Sequence, residues 1–291
     1  MLGKFKDFIL NNMISILRGR GYYVSRPHFY NPIPDRNYLL SSHGYWKQPY
    51  PCHGIEFYDE EQLLLCEELS EYAPEIYELP GDIFNPHKNK SFLDMDLEFL
   101  YCMVRHAKPK RFIEIGAGWS SRIAYQALNK NMAEGYECEH ILIDPYKDKE
   151  FESLFKDLVK FIDKPIQEVP TNIFKDLNKN DILFIDTSHI SKYGSDVNYL
   201  YFHILPLVNS GCYIHIHDIF MPNDYPSKWI YEYDQYWTEL YLVMALLMYN
   251  SEFKIRIAAQ YLSQKYRERL NKLFPRFKSW FSPGSLWIQR K

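Results

Sequence analysis

Four places in this chain put a carboxylate or an imidazole where an apolar run gives out. They are Glu114 in Phe112-Ile113-Glu114-Ile115-Gly116-Ala117-Gly118, Asp144 after Ile141-Leu142-Ile143, Asp186-Thr187-Ser188-His189 after an apolar run, and His215-Ile216-His217-Asp218. Such side chains at the ends of strands can bind ribose hydroxyls, hold a divalent cation or take a proton. Gly116 and Gly118 permit positive φ and close backbone approach, and Trp119, Ser120 and Ser121 begin a helix whose N–H groups suit a polar or anionic ligand. A nucleotide-like cofactor is the expected occupant, with Ala117, Ser120 and Ser121 among its contacts. Ser121 stands where a dinucleotide fingerprint has its third glycine, and Glu114 would repel a pyrophosphate while suiting the amino end of an amino-acid-like cofactor. Asp144, 26 positions beyond Gly118, is placed to meet the ribose.

Those residues need a sheet to hold them. Strands are expected over 111–116, 140–143, 166–169, 181–185 and 212–217. Helices are expected over about 119–129, 149–162, 173–177 and 195–208. Strand and helix alternate, so the right-handed crossover rule makes the sheet parallel with helices on both faces. A lead-in helix over 96–106 precedes it. A long helix from about 228 to 248, a strand over 253–258, a helix over 262–274 and a last strand over 285–289 complete the chain.

The acid-x-Gly-x-Gly pattern of Glu114, Gly116 and Gly118 resembles the first motif of class I S-adenosylmethionine-dependent methyltransferases. The resemblance implies a Rossmann-like α/β fold with a seven-stranded sheet whose last strand runs antiparallel between the fifth and sixth. It also implies S-adenosylmethionine as cofactor. The run from His217 through Pro222-Asn223-Asp224-Tyr225-Pro226 to Trp229, and then Tyr236-Trp237-Thr238-Glu239, is similar to a bacterial group related to macrocin O-methyltransferases and cephalosporin hydroxylases. That likeness spans about residues 96–250.

In metal-dependent O-methyltransferases of this fold, the fourth strand ends in a metal-binding Asp with a proton acceptor three residues later, which Asp186 and His189 match. The fifth strand of those relatives ends in two oxygen ligands. Here Ile219 follows Asp218, so His217 is the substitute ligand and the expected set is Asp186, His217 and Asp218. Imidazole beside carboxylates suits zinc, iron or manganese better than magnesium. The alternative is a metal-free site with His189 or His217 as base and Asp218 orienting it. His189 is the first choice, as a neutral imidazole titrating near its ordinary pKa.

Residues 1–95 are expected to form an N-terminal helix and an aromatic, proline-rich cap, and 96–291 the cofactor domain. The N-terminal helix is read as docking on the protein itself or a second subunit in a homo-oligomer, with contact to a membrane surface as the alternative. A formal net charge of −3 argues against nucleic acid as partner. No apolar run is long enough to span a bilayer. Five scattered cysteines read as reduced thiols of a cytoplasmic protein. The expected function is O-methylation of a hydroxyl on a small molecule or glycan precursor. The rivals are a metal-dependent hydroxylase on the same scaffold and an inactive methyltransferase fold used as an interaction module.

Overall fold

A computed structural model describes the chain except residues 1, 23, 25–27, 42, 43, 86, 90, 147–153, 156–158 and 275–281, and except the side chains of 2–8. It divides into two compact units, Met1–Gly44 and Tyr45–Lys291. The first contains the helices Leu2–Gly19 and Arg36–Ser41. Among the described residues, no helix is long and apolar enough to cross a membrane.

The second unit is built on a seven-stranded sheet: β1 Arg111–Ile115, β2 Glu139–Ile143, β3 Val159–Ile162, β4 Ile182–Ile185, β5 Tyr213–Ile216, β6 Phe253–Ala258 and β7 Leu286–Arg290. Their order is β3-β2-β1-β4-β5-β7-β6. The first five strands are mutually parallel, and β7 is antiparallel to both β5 and β6. The Rossmann-like order and the inserted antiparallel strand are both as expected.

Alternation along the central strands divides two cores. Phe112, Ile182, Phe184 and Trp287 pack on one face with the helices Asp59–Ser70, Asp94–Ala107 and Trp119–Ala133. Ile113, Ile115, Leu183, Ile185, Ile214 and Ile216 pack on the other, with residues 200–208 and the helix Glu239–Leu247. A strand buried on both faces must be apolar at nearly every position, which these short runs are. On the first face Arg105, fully enclosed, pairs with Glu75 at 2.7 Å and with Glu134, which ties the lead-in helix to the helix after β1.

Five elements depart from the sequence reading, one of them the helix expected over 262–274, which is two, Ala259–Lys265 and Arg267–Leu273. The strand expected at 166–169 lies at Val159–Ile162, and Ile166–Glu168 forms a 3-10 turn. Pro165 explains the shift, since it has no N–H to donate to a ladder. The helix expected over 149–162 falls largely outside the described residues, and its last four positions are β3. Helix 196–207 passes from α at Asp196–Tyr199 through a π turn at Leu200–Ile204 to a 3-10 turn containing Pro206. The long helix of 228–248 is two, Ser227–Glu232 and Glu239–Leu247, and the break between them turns Thr238 and Glu239 toward β4.

Candidate active site

The chain leaves β1 toward β2 on one side and returns at β4 on the other, so the carboxyl ends of these strands flank a topological switch point. A cavity of about 490 Å³ opens there, lined among others by Gly116, Ala117, Asp144, Tyr146, Asp186 and Ser188.

Gly116 is the residue the turn cannot replace. It has φ +88, and a Cβ placed on it would lie 1.8 Å from the carbonyl oxygen of Asp186. Gly118 has φ −172, an extended conformation open to any residue, and a Cβ there would meet nothing within 4 Å. The two glycines therefore differ in role, although the motif presents them alike.

Glu114 points into the protein. It is fully buried, accepts the Ser120 hydroxyl at 2.7 Å and stands 3.4 Å from His140 Nε2. Ser121 Oγ accepts the Gly118 N–H at 3.1 Å, which closes the helix start. Glu114, Gly118, Ser120 and Ser121 brace the turn from behind and do not line the cavity. Asp144 lines it, with Oδ2 accepting the Ala117 N–H at 2.8 Å and Oδ1 the Tyr146 N–H at 2.7 Å. Each oxygen keeps a second acceptor direction for a ligand hydroxyl.

A polar cluster continues from the cavity across the ends of β4 and β5. His189 Nε2 stands 3.2 Å from Asp186 Oδ1 and 3.7 Å from Asp218 Oδ2. Its other nitrogen, Nδ1, is 2.9 Å from Glu239 Oε2, and Glu239 Oε1 accepts the Tyr201 hydroxyl at 3.1 Å. Trp237 covers the His189 ring at 4.3 Å between centroids. Asp218 has φ +57 and is held by Gly284, whose carbonyl accepts the Ile219 N–H at 2.8 Å and where a Cβ would lie 2.8 Å from the Asp218 Cα.

The charges of this cluster are set by one another. Burial opposes the Asp186 charge, yet His217 and the hydrogen bond from His189 bring its pKa down to about 2. Burial would lower His189, but its bonds to Asp186 and Glu239 raise it to about 10. Burial raises Asp218 to about 6 against the pull of His217 and His189. Near neutral pH His189 is thus an imidazolium among carboxylates, which corrects the expectation of a neutral ring.

Asp186, His189 and Asp218 each offer one ligand atom, all within 4.8 Å of one another. The set expected from the sequence contained His217 in place of His189. His217 Nε2 lies 3.8 Å from Asp218 Oδ1, its ring packs on Phe92, and its Nδ1 is buried without a hydrogen-bond partner. His215 stacks on Phe184 at 4.2 Å and reaches Ser285 Oγ at 3.1 Å, and burial holds it well below the ordinary histidine range.

The segment after β5 is tied from two sides. Asp224 accepts the Tyr50 hydroxyl at 2.6 Å and the Tyr241 hydroxyl at 2.8 Å, while the Tyr50 N–H donates to the Pro222 carbonyl at 2.6 Å. Trp229 and Trp237 meet edge to face at 4.7 Å. Sequence reasoning gave no catalytic or positioning role to Glu239, Tyr201, Tyr50 or Gly284. Their link to the site is made by folding across tens of residues, and only an acid at a helix start hinted at Glu239.

Residues 113–219 match a family model described as a methyltransferase domain. An uncharacterized protein of Archaeoglobus fulgidus is 30% identical over 192 residues, which cover 62% of this chain and 86% of that protein. Residues 113–219 thus carry a methyltransferase domain. The matched segment begins in β1 and ends just past β5, so it contains Gly116, Asp144, Asp186, His189 and Asp218. Among solved structures, the chain is similar to the Podospora anserina methyltransferase PaMTH1 bound to SAH, at 17% identity and TM-score 0.45, covering 92% of this chain and 100% of that one. It is also similar to the plantazolicin methyltransferase BpumL, at 11% identity and TM-score 0.40, covering 81% of this chain and 100% of that one.

Proposed function

We propose that the protein is an S-adenosylmethionine-dependent O-methyltransferase of the cytoplasm, acting on a hydroxyl of a small molecule or glycan precursor. The observation that carries the reading is that one strand end, Asp186, belongs both to the switch-point cavity and to the polar cluster beside it. A cofactor site and a proton-handling site therefore adjoin. The family match supports methyl transfer, and the resemblance to macrocin O-methyltransferases supports oxygen as the acceptor atom.

Bound in the cavity, S-adenosylmethionine supplies the electrophilic methyl group. Asp144 would hold the ribose hydroxyls, and its own bonds to the Ala117 and Tyr146 N–H groups keep its carboxylate aimed. Gly116 lets the backbone of the turn approach the ligand and the Asp186 carbonyl together. In molecules whose His189 ring is neutral, a fraction that grows as pH rises, Nε2, the nitrogen that faces Asp186 and Asp218, takes the proton of the acceptor hydroxyl. Alignment of oxygen, methyl and sulfur supplies most of the rate, with proton removal adding about 10²–10⁴.

The donor set also fits a divalent cation. One imidazole nitrogen and two carboxylate oxygens within 4.8 Å of one another are a ligand set that such an ion accepts. Asp186, His189 and Asp218 would hold the ion, which would polarise the acceptor oxygen. The same three residues support the second reading, a hydroxylase, if the resident ion is iron; metal analysis of the purified protein separates the two. Transfer of labelled methyl from S-adenosylmethionine to a panel of hydroxylated acceptors tests the first reading, and a panel without turnover in protein that also fails to bind the cofactor would sink it.

A further inference from the structure

Glu239 opens the helix Glu239–Leu247, and the account of methyl transfer above leaves it without a task. We propose that Glu239 is the positioning residue of this site. By holding the imidazole proton on Nδ1 of His189, it presents Nε2 to the gap between Asp186 and Asp218. The inference deepens the methyltransferase reading and rests on His189 as proton acceptor.

The geometry has three parts. First, Glu239 is fully buried and each of its oxygens faces one group, Oε2 the His189 Nδ1 at 2.9 Å and Oε1 the Tyr201 hydroxyl at 3.1 Å. The Tyr201 hydroxyl donates to one oxygen, and a carboxylate that accepts at both oxygens puts a proton on Nδ1. That holds for the charged ring and for one neutral tautomer alike, and so does not depend on the charge of His189. Second, the backbone is locked to the same segment, because the N–H groups of Thr238 and Glu239 both donate to the His189 carbonyl, at 2.9 and 3.1 Å. The Ser191 N–H donates to Thr238 Oγ1 at 2.7 Å, closing the loop. Third, His189 has φ +56, a conformation costly for a residue with a side chain. With Trp237 over its face, the ring cannot turn without breaking these bonds. A carboxylate behind a working imidazole is how a tautomer and a ring orientation are fixed, whether the far nitrogen meets a proton or a metal.

Tyr201 makes the proposal testable without an acceptor. In Glu239→Gln one oxygen and one amide face the same two groups. The Tyr201 hydroxyl can give its proton to the oxygen or accept from the amide, and the arrangement that keeps the Tyr201 proton bonded turns the amide to Nδ1 and moves the ring proton to Nε2. Removing that hydroxyl as well, in Glu239→Gln/Tyr201→Phe, frees the oxygen to turn back to Nδ1. Full-length protein labelled with ¹⁵N-histidine reports this directly in two-bond ¹H–¹⁵N spectra, with the His189 signals assigned by their loss in His189→Asn.

The expected result is a proton-bearing Nδ1 in the wild type, a bare Nδ1 in Glu239→Gln and a proton-bearing Nδ1 again in the double variant. A bare Nδ1 in the wild type would overturn the inference even if no variant folds. A bare Nδ1 that persists in the double variant after a bare Nδ1 in Glu239→Gln would overturn it too. Titration of S-adenosylhomocysteine into the same sample keeps the two claims apart. Absent binding would remove the methyltransferase reading and leave the tautomer result, and the converse holds.

Discussion

Glu239 grips His189 twice, through its carboxylate on the ring nitrogen Nδ1 at 2.9 Å and through its own N–H on the His189 carbonyl at 3.1 Å. A helix start and a strand end fifty residues apart are thereby joined at one side chain. The charge of that side chain follows from the same contacts.

The pH dependence of turnover tests this charge. Because Asp186 and Glu239 raise the His189 pKa to about 10, the neutral, proton-accepting ring grows in population as pH rises well past the ordinary histidine value. The rate should keep climbing above pH 7.5, and His189→Ala should lower it by about 10²–10⁴ and abolish the climb. A plateau from pH 7 upward in the wild type would move the base to Asp218, whose pKa near 6 would then set the limb.

The two glycines of the turn should separate cleanly in stability. Gly116→Ala meets a backbone carbonyl at 1.8 Å in a left-handed conformation, and should cost roughly 3 kcal/mol or more by urea denaturation, or prevent folding. Gly118→Ala, with open space around it, should cost under about 1 kcal/mol, the loss of a favourable helix-start residue. Equal losses would mean that the turn is packed differently.

Asp218 should be a site where activity and stability oppose each other. Its folded pKa of about 6 lies above the unfolded carboxylate value, so its charge destabilises the fold as pH rises from 4 through 6 and fully above that. Asp218→Asn keeps the positive φ that asparagine tolerates. It should therefore stabilise the protein by roughly 1–3 kcal/mol at pH 8 and by little at pH 4. Thermal unfolding at the two pH values measures the difference, and a variant less stable at pH 8 would contradict it.

The sequence made the sheet and the cofactor face of the site readable, because both are written in local pattern. Apolar runs of four or five residues marked β1, β2, β4 and β5, and the residue after each run is where a strand end must lie. The motif could not tell Gly116 from Gly118, since only the approach of the Asp186 carbonyl distinguishes them. Nor could it show that Glu114 turns inward to Ser120, because strand parity depends on the register with neighbouring strands. His217 was chosen over His189 as ligand for its place beside Asp218 in sequence. The left-handed backbone at 189 and 218 swings His189 Nε2 toward both carboxylates instead. For Glu239 the sequence offered only its place in the run Tyr236-Trp237-Thr238-Glu239.

Chelation tests the ion. If Asp186, His189 and Asp218 hold an ion in place of the His189 proton, exhaustive removal of divalent metal should abolish methyl transfer and leave cofactor affinity within about twofold. Full activity in metal-free protein would leave Asp186 and Asp218 as partners of His189 alone.

The central claim is that the cavity at the ends of β1, β2 and β4 holds S-adenosylmethionine through Asp144. Calorimetric titration of S-adenosylhomocysteine into wild type and Asp144→Ala measures it most directly. The account predicts one site per chain in the wild type and a loss of roughly 1.5–3 kcal/mol of binding energy in the variant, the worth of hydrogen bonds to a charged acceptor. No binding to folded wild-type protein, or equal affinity in Asp144→Ala, would contradict it.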